Sequence, residues 1–337
     1  MIQPASKTAR IAYSLIAGIM IILFWRNIGF ATTLLDMPGS SILGLSIKAL
    51  LLTLAVLILT TVVVKPKEVF SFLGLSGNML KGFGIALLCV LPLYLVFPFF
   101  GSLNTELTFT VFYDRCILTG FKEELVFRAL MFGLLFRYAK TGFFWAVILP
   151  ALYFGSVHLY QGHDALSSLA AFGVTFIGAL YFSWMYVEWN FNIWIPVGLH
   201  ILMNGAWHIF IMEGTEVAAG GLISNMARIV SMALAIAITV YAYQRYTRLF
   251  TFYRGFFLAP SGAENGFPTQ AYPSFTISAL RKAFSSKVTP VMRSSCTRLH
   301  PNAFDKDKKS SVQIQTQNPI LRRDRSGCRM PSKVFGK

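Results

Sequence analysis

The stretch CILTGFKEELVFRALMFGLLF, residues 116–136, places Glu123, Glu124 and Arg128 inside an otherwise apolar helical run, with Arg115 directly before it. A charged side chain at the centre of a bilayer costs roughly 2.5 to 3.5 kcal/mol on insertion scales. Charges so close together in such a run must face a partner or a wet pocket, and that pocket is where function is to be sought.

The rest of the chain makes a bilayer the natural setting. Of 337 residues, 55% are hydrophobic and only 13% charged, with mean hydropathy +0.59 and 15% aromatics. A soluble domain of this length does not carry that balance. A spanning helix needs about 20 mostly apolar residues, and eight runs approach or meet that length: 11–25, 42–64, 83–100, 116–136, 143–160, 166–187, 191–212 and 222–243. The expected fold is an all-α, polytopic membrane helix bundle of about eight transmembrane helices. Residues 1–254 form its membrane domain, with a motif core at about 116–212. From 255 to 337 the apolar periodicity gives way to Ser, Thr, Pro, Asn, Gln and basic residues, which predicts a disordered, basic C-terminal tail. Within it, 275–284 (FTISALRKAF) has the pattern of a short amphipathic helix for an anionic lipid surface.

The formal net charge is +16, and from Gly255 onward 14 Lys and Arg stand against 4 Asp and Glu. No nucleic-acid motif accompanies this charge, so it reads as a membrane protein's cytoplasmic loops and tail, not as a nucleic-acid partner. Charges in the breaks alternate in sign along the chain, with Glu188 as the exception. That pattern, together with an even number of spans, predicts both termini on the cytoplasmic side. The four cysteines, Cys89, Cys116, Cys296 and Cys328, show neither disulfide nor metal spacing.

On a regular helix, residues four apart share a face and adjacent residues diverge by about 100°. Glu124 and Arg128 are therefore expected to pair, holding the helix in position, while Glu123 points elsewhere and is left for chemistry. His158 ends the fifth run, four residues after Phe154. His200, Asn204 and His208 recur every fourth position of the seventh run and line one stripe. Either set alone is compatible with inter-helix hydrogen bonding. Across three apolar runs they make a hydrolytic inventory: a carboxylate, two histidines and an amide. A carboxylate in a poorly solvated pocket can take a proton from water and return it. Glu123 suits that role, with His158 orienting the same water, and His200 with Asn204 can offer donors to the oxyanion of a tetrahedral intermediate.

The ordered set E-E-x-x-x-R (Glu123, Glu124, Arg128), F-x-x-x-H (Phe154, His158) and H-x-x-x-N (His200, Asn204) resembles the CPBP intramembrane proteases. That family includes the type II CAAX prenyl endopeptidases and the bacterial Abi proteins. The resemblance implies an eight-helix endopeptidase of an integral, multi-pass membrane protein, with Glu123, Glu124, Arg128, His158, His200 and Asn204 as site residues. It also implies a peptide or lipidated protein as substrate, with membrane lipid as the medium. A bacterial cell membrane is the expected location. The family has been described both as metalloproteases and as glutamate-type enzymes. There is no H-E-x-x-H motif here, so the reading without a required metal is favoured, with zinc on Glu123, His158 and His200 as the alternative. Two other functions use the same charges: a proton-coupled transporter, and a catalytically silent membrane regulator.

Overall fold

The computed structural model describes residues 6–213 and 219–243. The chain divides into two units, Met1–Tyr272 and Pro273–Lys337, and every described residue falls in the first. The expected tail at 255–337, with its amphipathic segment at 275–284, lies outside the described residues, as do Cys296 and Cys328.

The described residues form a helical bundle. Its long elements are α1 (Lys7–Asn27), α2 (Ile42–Thr61), α3 (Met79–Phe100), α4 (109–138), α5 (Phe143–Ser156), α6 (Ala165–Glu188), α7 (Trp194–Ile209) and α8 (Leu222–Tyr243). Their starts are capped by the residue types that helix ends require. Ser41 caps α2 by accepting from the Gly44 N–H, Asn78 caps α3 by accepting from the Lys81 N–H, and Asp164 caps α6 through a reciprocal box with Ser167. Pro92 and Pro98 inside α3 and Pro150 inside α5 are of the kind that membrane helices tolerate. A two-residue antiparallel bridge, Ser102–Leu103 against Phe210–Ile211, ties the exit of α3 to the end of α7.

Among the described residues, six helices are long and apolar enough to cross a membrane: Lys7–Asn27, Ile42–Thr61, Met79–Phe100, Phe143–Gln161, Ala165–Glu188 and Leu222–Ala242. The two that fall short are α4 and α7, and the reason is physical. Helix α4 carries the charges, and α7 has only 16 residues. Both are interior: every residue from Glu124 to Leu130 is buried, as is every residue from Ile195 to His200. Six lipid-facing helices therefore enclose two polar-bearing ones, and the chain is an integral membrane protein.

Helix α4 is not a regular α-helix. Residues Tyr113–Leu118, Glu124–Phe132 and Leu134–Tyr138 form wide π-helical turns, interrupted by an α-helical turn at Thr119–Glu123. The Ala139 N–H, for example, donates five residues back to the Leu134 carbonyl at 2.8 Å. Such turns recur at functional sites.

Small residues let the interior helices approach closely. A Cβ on Gly120 of α4 would lie 2.6 Å from Ile201 Cγ1 of α7, and one on Gly198 of α7 would lie 2.8 Å from the Ala86 Cβ of α3. The backbone of α4 thus touches α7 one residue past His200.

Candidate active site

Four ionisable groups meet where α4 crosses α7. Arg128 Nη1 lies 3.1 Å from Glu124 Oε1, and the two side chains are 1% and 0% exposed. The same oxygen accepts a hydrogen bond from His200 Nδ1–H at 2.7 Å. On the far side of that imidazole, His200 Nε2 is 3.6 Å from Glu123 Oε2. One ring is thus held between the carboxylates of two consecutive glutamates.

This corrects the expectation that Glu123 points away from the pair made by Glu124. The two side chains still diverge along α4, but the His200 ring stands between them, so Glu124 meets its Nδ1 and Glu123 its Nε2. The preceding residue, Lys122, does turn aside, with its Nζ 3.7 Å from Asp114 Oδ1. Arg115 is corrected as well: its side chain is exposed, so it is not one of the charges enclosed by the bundle.

Arg128 is held by rings. Its guanidinium carbon sits 4.8 Å from the Phe154 ring centroid of α5 and 5.4 Å from that of Phe182 of α6, the favourable placement of a desolvated cation over aromatic faces. Phe182 also packs against His200, with centroids 5.7 Å apart. Nothing in the sequence separates Phe182 from the other phenylalanines of its apolar run, and it could not be singled out there. Gly120, three residues before Glu123, did carry a signal, since a glycine inside a helix weakens it unless close packing requires it. Beyond the charge contact at 3.1 Å, which lacks hydrogen-bond alignment, Glu124 Oε2 and the three guanidinium nitrogens of Arg128 have no hydrogen-bond partner among the described residues. The buried centre thus keeps polar capacity for solvent or substrate.

The structure places His158 at the end of α5, where its Nδ1 lies 2.6 Å from the Phe154 carbonyl oxygen. A carbonyl only accepts, so Nδ1 carries the proton and, in the neutral ring, Nε2 is left as an acceptor. No hydrogen bond or ion pair among the described residues joins His158 to Glu123 or His200. Its ring packs on Phe154 at 4.7 Å, and Phe154 in turn covers Arg128. Asn204 Nδ2 donates to the Arg115 carbonyl at 3.0 Å, one turn along α7 from His200. That bond uses one amide hydrogen and leaves the other for a ligand. His208 contributes its backbone carbonyl, which accepts from Asn104 Nδ2 at 3.0 Å.

For the alternative of zinc on Glu123, His158 and His200, the Nδ1 bonds of His200 to Glu124 and of His158 to a carbonyl leave each Nε2 available, as in a metal-ligating histidine. Among the described residues no group of three or more His, Cys, Asp or Glu side chains is disposed to hold a metal ion. That grouping gives the description as a metalloprotease no support.

Residues 105–206 match the family described as Type II CAAX prenyl endopeptidase Rce1-like. A Bacillus subtilis (strain 168) protein described as "Putative membrane peptidase YdiL" is 37% identical over 82 residues, which are 24% of this chain and 29% of that protein. The chain thus aligns with less than a third of the length of the curated relative it matches. No solved structure matches the chain. The matched region contains Glu123, Glu124, Arg128, His158, His200 and Asn204, and over it the chain is similar to that endopeptidase family.

Proposed function

We propose that this chain is an intramembrane endopeptidase that hydrolyses a peptide bond in a membrane-associated peptide or lipidated protein by an activated water, without a metal. The observation that carries the reading is the His200 ring between Glu124 at 2.7 Å and Glu123 at 3.6 Å.

The charges lead to the mechanism. With Glu123 and Glu124 ionised, Arg128 offsets one negative charge, and the cluster becomes neutral when one further proton is added. In a low-dielectric interior neutrality is strongly favoured. The gap between His200 Nε2 and Glu123 Oε2 is where that proton has two acceptors. A separation of 3.6 Å is long for a direct hydrogen bond, yet a water about 2.8 Å from both atoms bridges them. Glu123 takes a proton from this water as it attacks the carbonyl carbon, and later delivers it to the leaving amine. His158 Nε2 accepts a hydrogen bond from the same water and orients it. The oxyanion receives hydrogen bonds from protonated His200 Nε2 and from the second Asn204 N–H. Glu124 and Arg128 keep the imidazole in one orientation.

The charge pattern of the loops supports cytoplasmic termini, and the Bacillus relative supports a bacterial cell membrane as the location. Purified full-length protein in liposomes, offered a library of membrane-associated peptides, tests the proposal. The native chain is expected to cleave, Glu123→Gln to be inactive at an unchanged unfolding temperature, and a chelator to leave the rate unaltered. Turnover by Glu123→Gln at the native rate would reject Glu123 as the base, and loss of activity restored by zinc would reject the metal-free reading.

A further inference from the structure

A second feature lies on the opposite flank of α4. A cavity of about 460 Å³ is lined by α1, α4 and α5. Its hollow arises from small or constrained residues on facing helices: Ser14 and Gly18 one turn apart on α1, and Pro150 on α5. Met131 and Leu135 of α4 form the floor, and Leu15, Ile19, Leu23 and Leu149, all 38% or more exposed, form the rim. The rim belongs to two spanning helices, so it faces lipid.

The groove has a polar end. Arg26 lines it in the last turn of α1, with an exposed side chain and no ion pair among the described residues. From Ser14 to Arg26 the helix rises about 18 Å. The hydrocarbon depth of one leaflet is about 15 Å, half of a core about 30 Å thick. Helix α1 itself, with 21 residues, is about as long as that core is thick. The groove therefore runs from near mid-bilayer to one headgroup plane, with a guanidinium where a phosphate would sit. Arginine matches phosphate oxygens with paired donors.

We propose that this groove binds one anionic phospholipid of the membrane, an acyl chain lying along α1 and the phosphate on Arg26. A wall of rings separates it from the catalytic cluster. Phe127 packs on Trp25 at 6.1 Å, on Tyr153 at 6.2 Å and on Phe154 at 5.0 Å, and the other side of Phe154 covers Arg128. An occupant of the groove is therefore not presented to Glu123. This favours a resident lipid over the lipid group of a substrate, and the inference does not depend on the protease reading.

The test is lipid retention by the full-length protein in detergent, measured by native mass spectrometry with equal phosphatidylglycerol and phosphatidylcholine of matched chains. One bound lipid is expected, with phosphatidylglycerol preferred about fivefold, the equivalent of about 1 kcal/mol for one basic residue at an anionic headgroup. Arg26→Gln should bring the preference to parity and Arg26→Lys should keep most of it. Ile19→Trp, which fills the groove from its lipid-facing rim, should abolish retention while the unfolding temperature in lipid-free detergent stays native. Equal retention of the two lipids by the native chain, an undiminished preference in Arg26→Gln, or retention by Ile19→Trp would each overturn the proposal. So would displacement of the phosphatidylglycerol by a lipidated peptide, which would assign the groove to substrate. Glu123→Gln should retain lipid as the native chain does, so the outcome is separate from that of the hydrolysis assay.

Discussion

Two neighbouring glutamates, given the same isosteric substitution, should fail in opposite ways. Glu124 is 0% exposed and shares one carboxylate oxygen between Arg128 and His200. Removing its charge in Glu124→Gln leaves the Arg128 guanidinium buried between two phenyl rings with no counter-ion, and breaking a buried pair in this way costs about 3 to 5 kcal/mol. At about 2 to 4 °C per kcal/mol for a domain of this size, the unfolding temperature should fall by roughly 6 °C or more. Glu123 is 16% exposed and 3.6 Å from His200, its ion-pair partner among the described residues. A polar replacement there leaves Arg128 its Glu124 partner and gives up one long contact, so Glu123→Gln should cost about 0.5 kcal/mol, the low end for a single polar contact, and unfold within about 2 °C of the native chain. Hydrolysis should be lost in both. The double variant Glu124→Gln with Arg128→Met removes both charges and should recover most of the lost stability, yet remain inactive because His200 has lost its fixed orientation. Thermal unfolding in one detergent, run beside peptide cleavage in liposomes, reads all three. If Glu124→Gln unfolds at the native temperature, or if Glu123→Gln is the less stable of the two, the division of labour between the two carboxylates is wrong.

Gly120→Ala would put a methyl 2.6 Å from Ile201 Cγ1 and 3.0 Å from its backbone nitrogen. This overpacking is expected to cost about 1 to 3 kcal/mol and to lower kcat by up to 10²-fold as His200 shifts against Glu123. Gly84→Ala, with nothing within 4 Å, should be neutral in both assays. Asn204→Ala should lower kcat by about 10² to 10³ if its free N–H serves the oxyanion, with KM little changed; a loss in KM alone would assign it to substrate binding. Outside the spans, the Asp164 carboxyl is held below the usual carboxylate range by the Ser167 backbone N–H first and the Ser167 hydroxyl second. Its capping contribution is therefore present above the ordinary Asp value and lost as pH falls through the lowered one. Asp164→Ala should destabilise the protein at neutral pH, and the difference from the native chain should vanish in strong acid; a gap that persists there would mean the cap does not act through the ionised carboxylate.

How much of this could be read from one dimension follows from the kind of information each element carries. Membrane helices are legible because each must satisfy its own backbone hydrogen bonds and meet lipid with apolar side chains, so the eight runs marked eight long helices. The run 222–243 matches α8 end to end, while 116–136 understates α4, which begins at 109 because Thr108 caps it by accepting from the Val111 N–H. The pairing of Glu124 with Arg128 was also legible, being a local spacing of four.

Contacts across helices were not. That Glu123 and Glu124 both meet His200, that His158 is turned back onto Phe154, and that Phe182 closes over Arg128 depend on packing between helices, such as the fit of Gly120 against Ile201. Spacing along a chain specifies a face only while the helix keeps its regular pitch, and it says nothing about which neighbour that face meets. Amino-acid order alone determined the membrane setting, the helices and the ionisable residues of the candidate site. Tertiary packing decided which carboxylate lies on which side of one imidazole, because that choice is made by the close approach of two backbones, which no sequence period encodes.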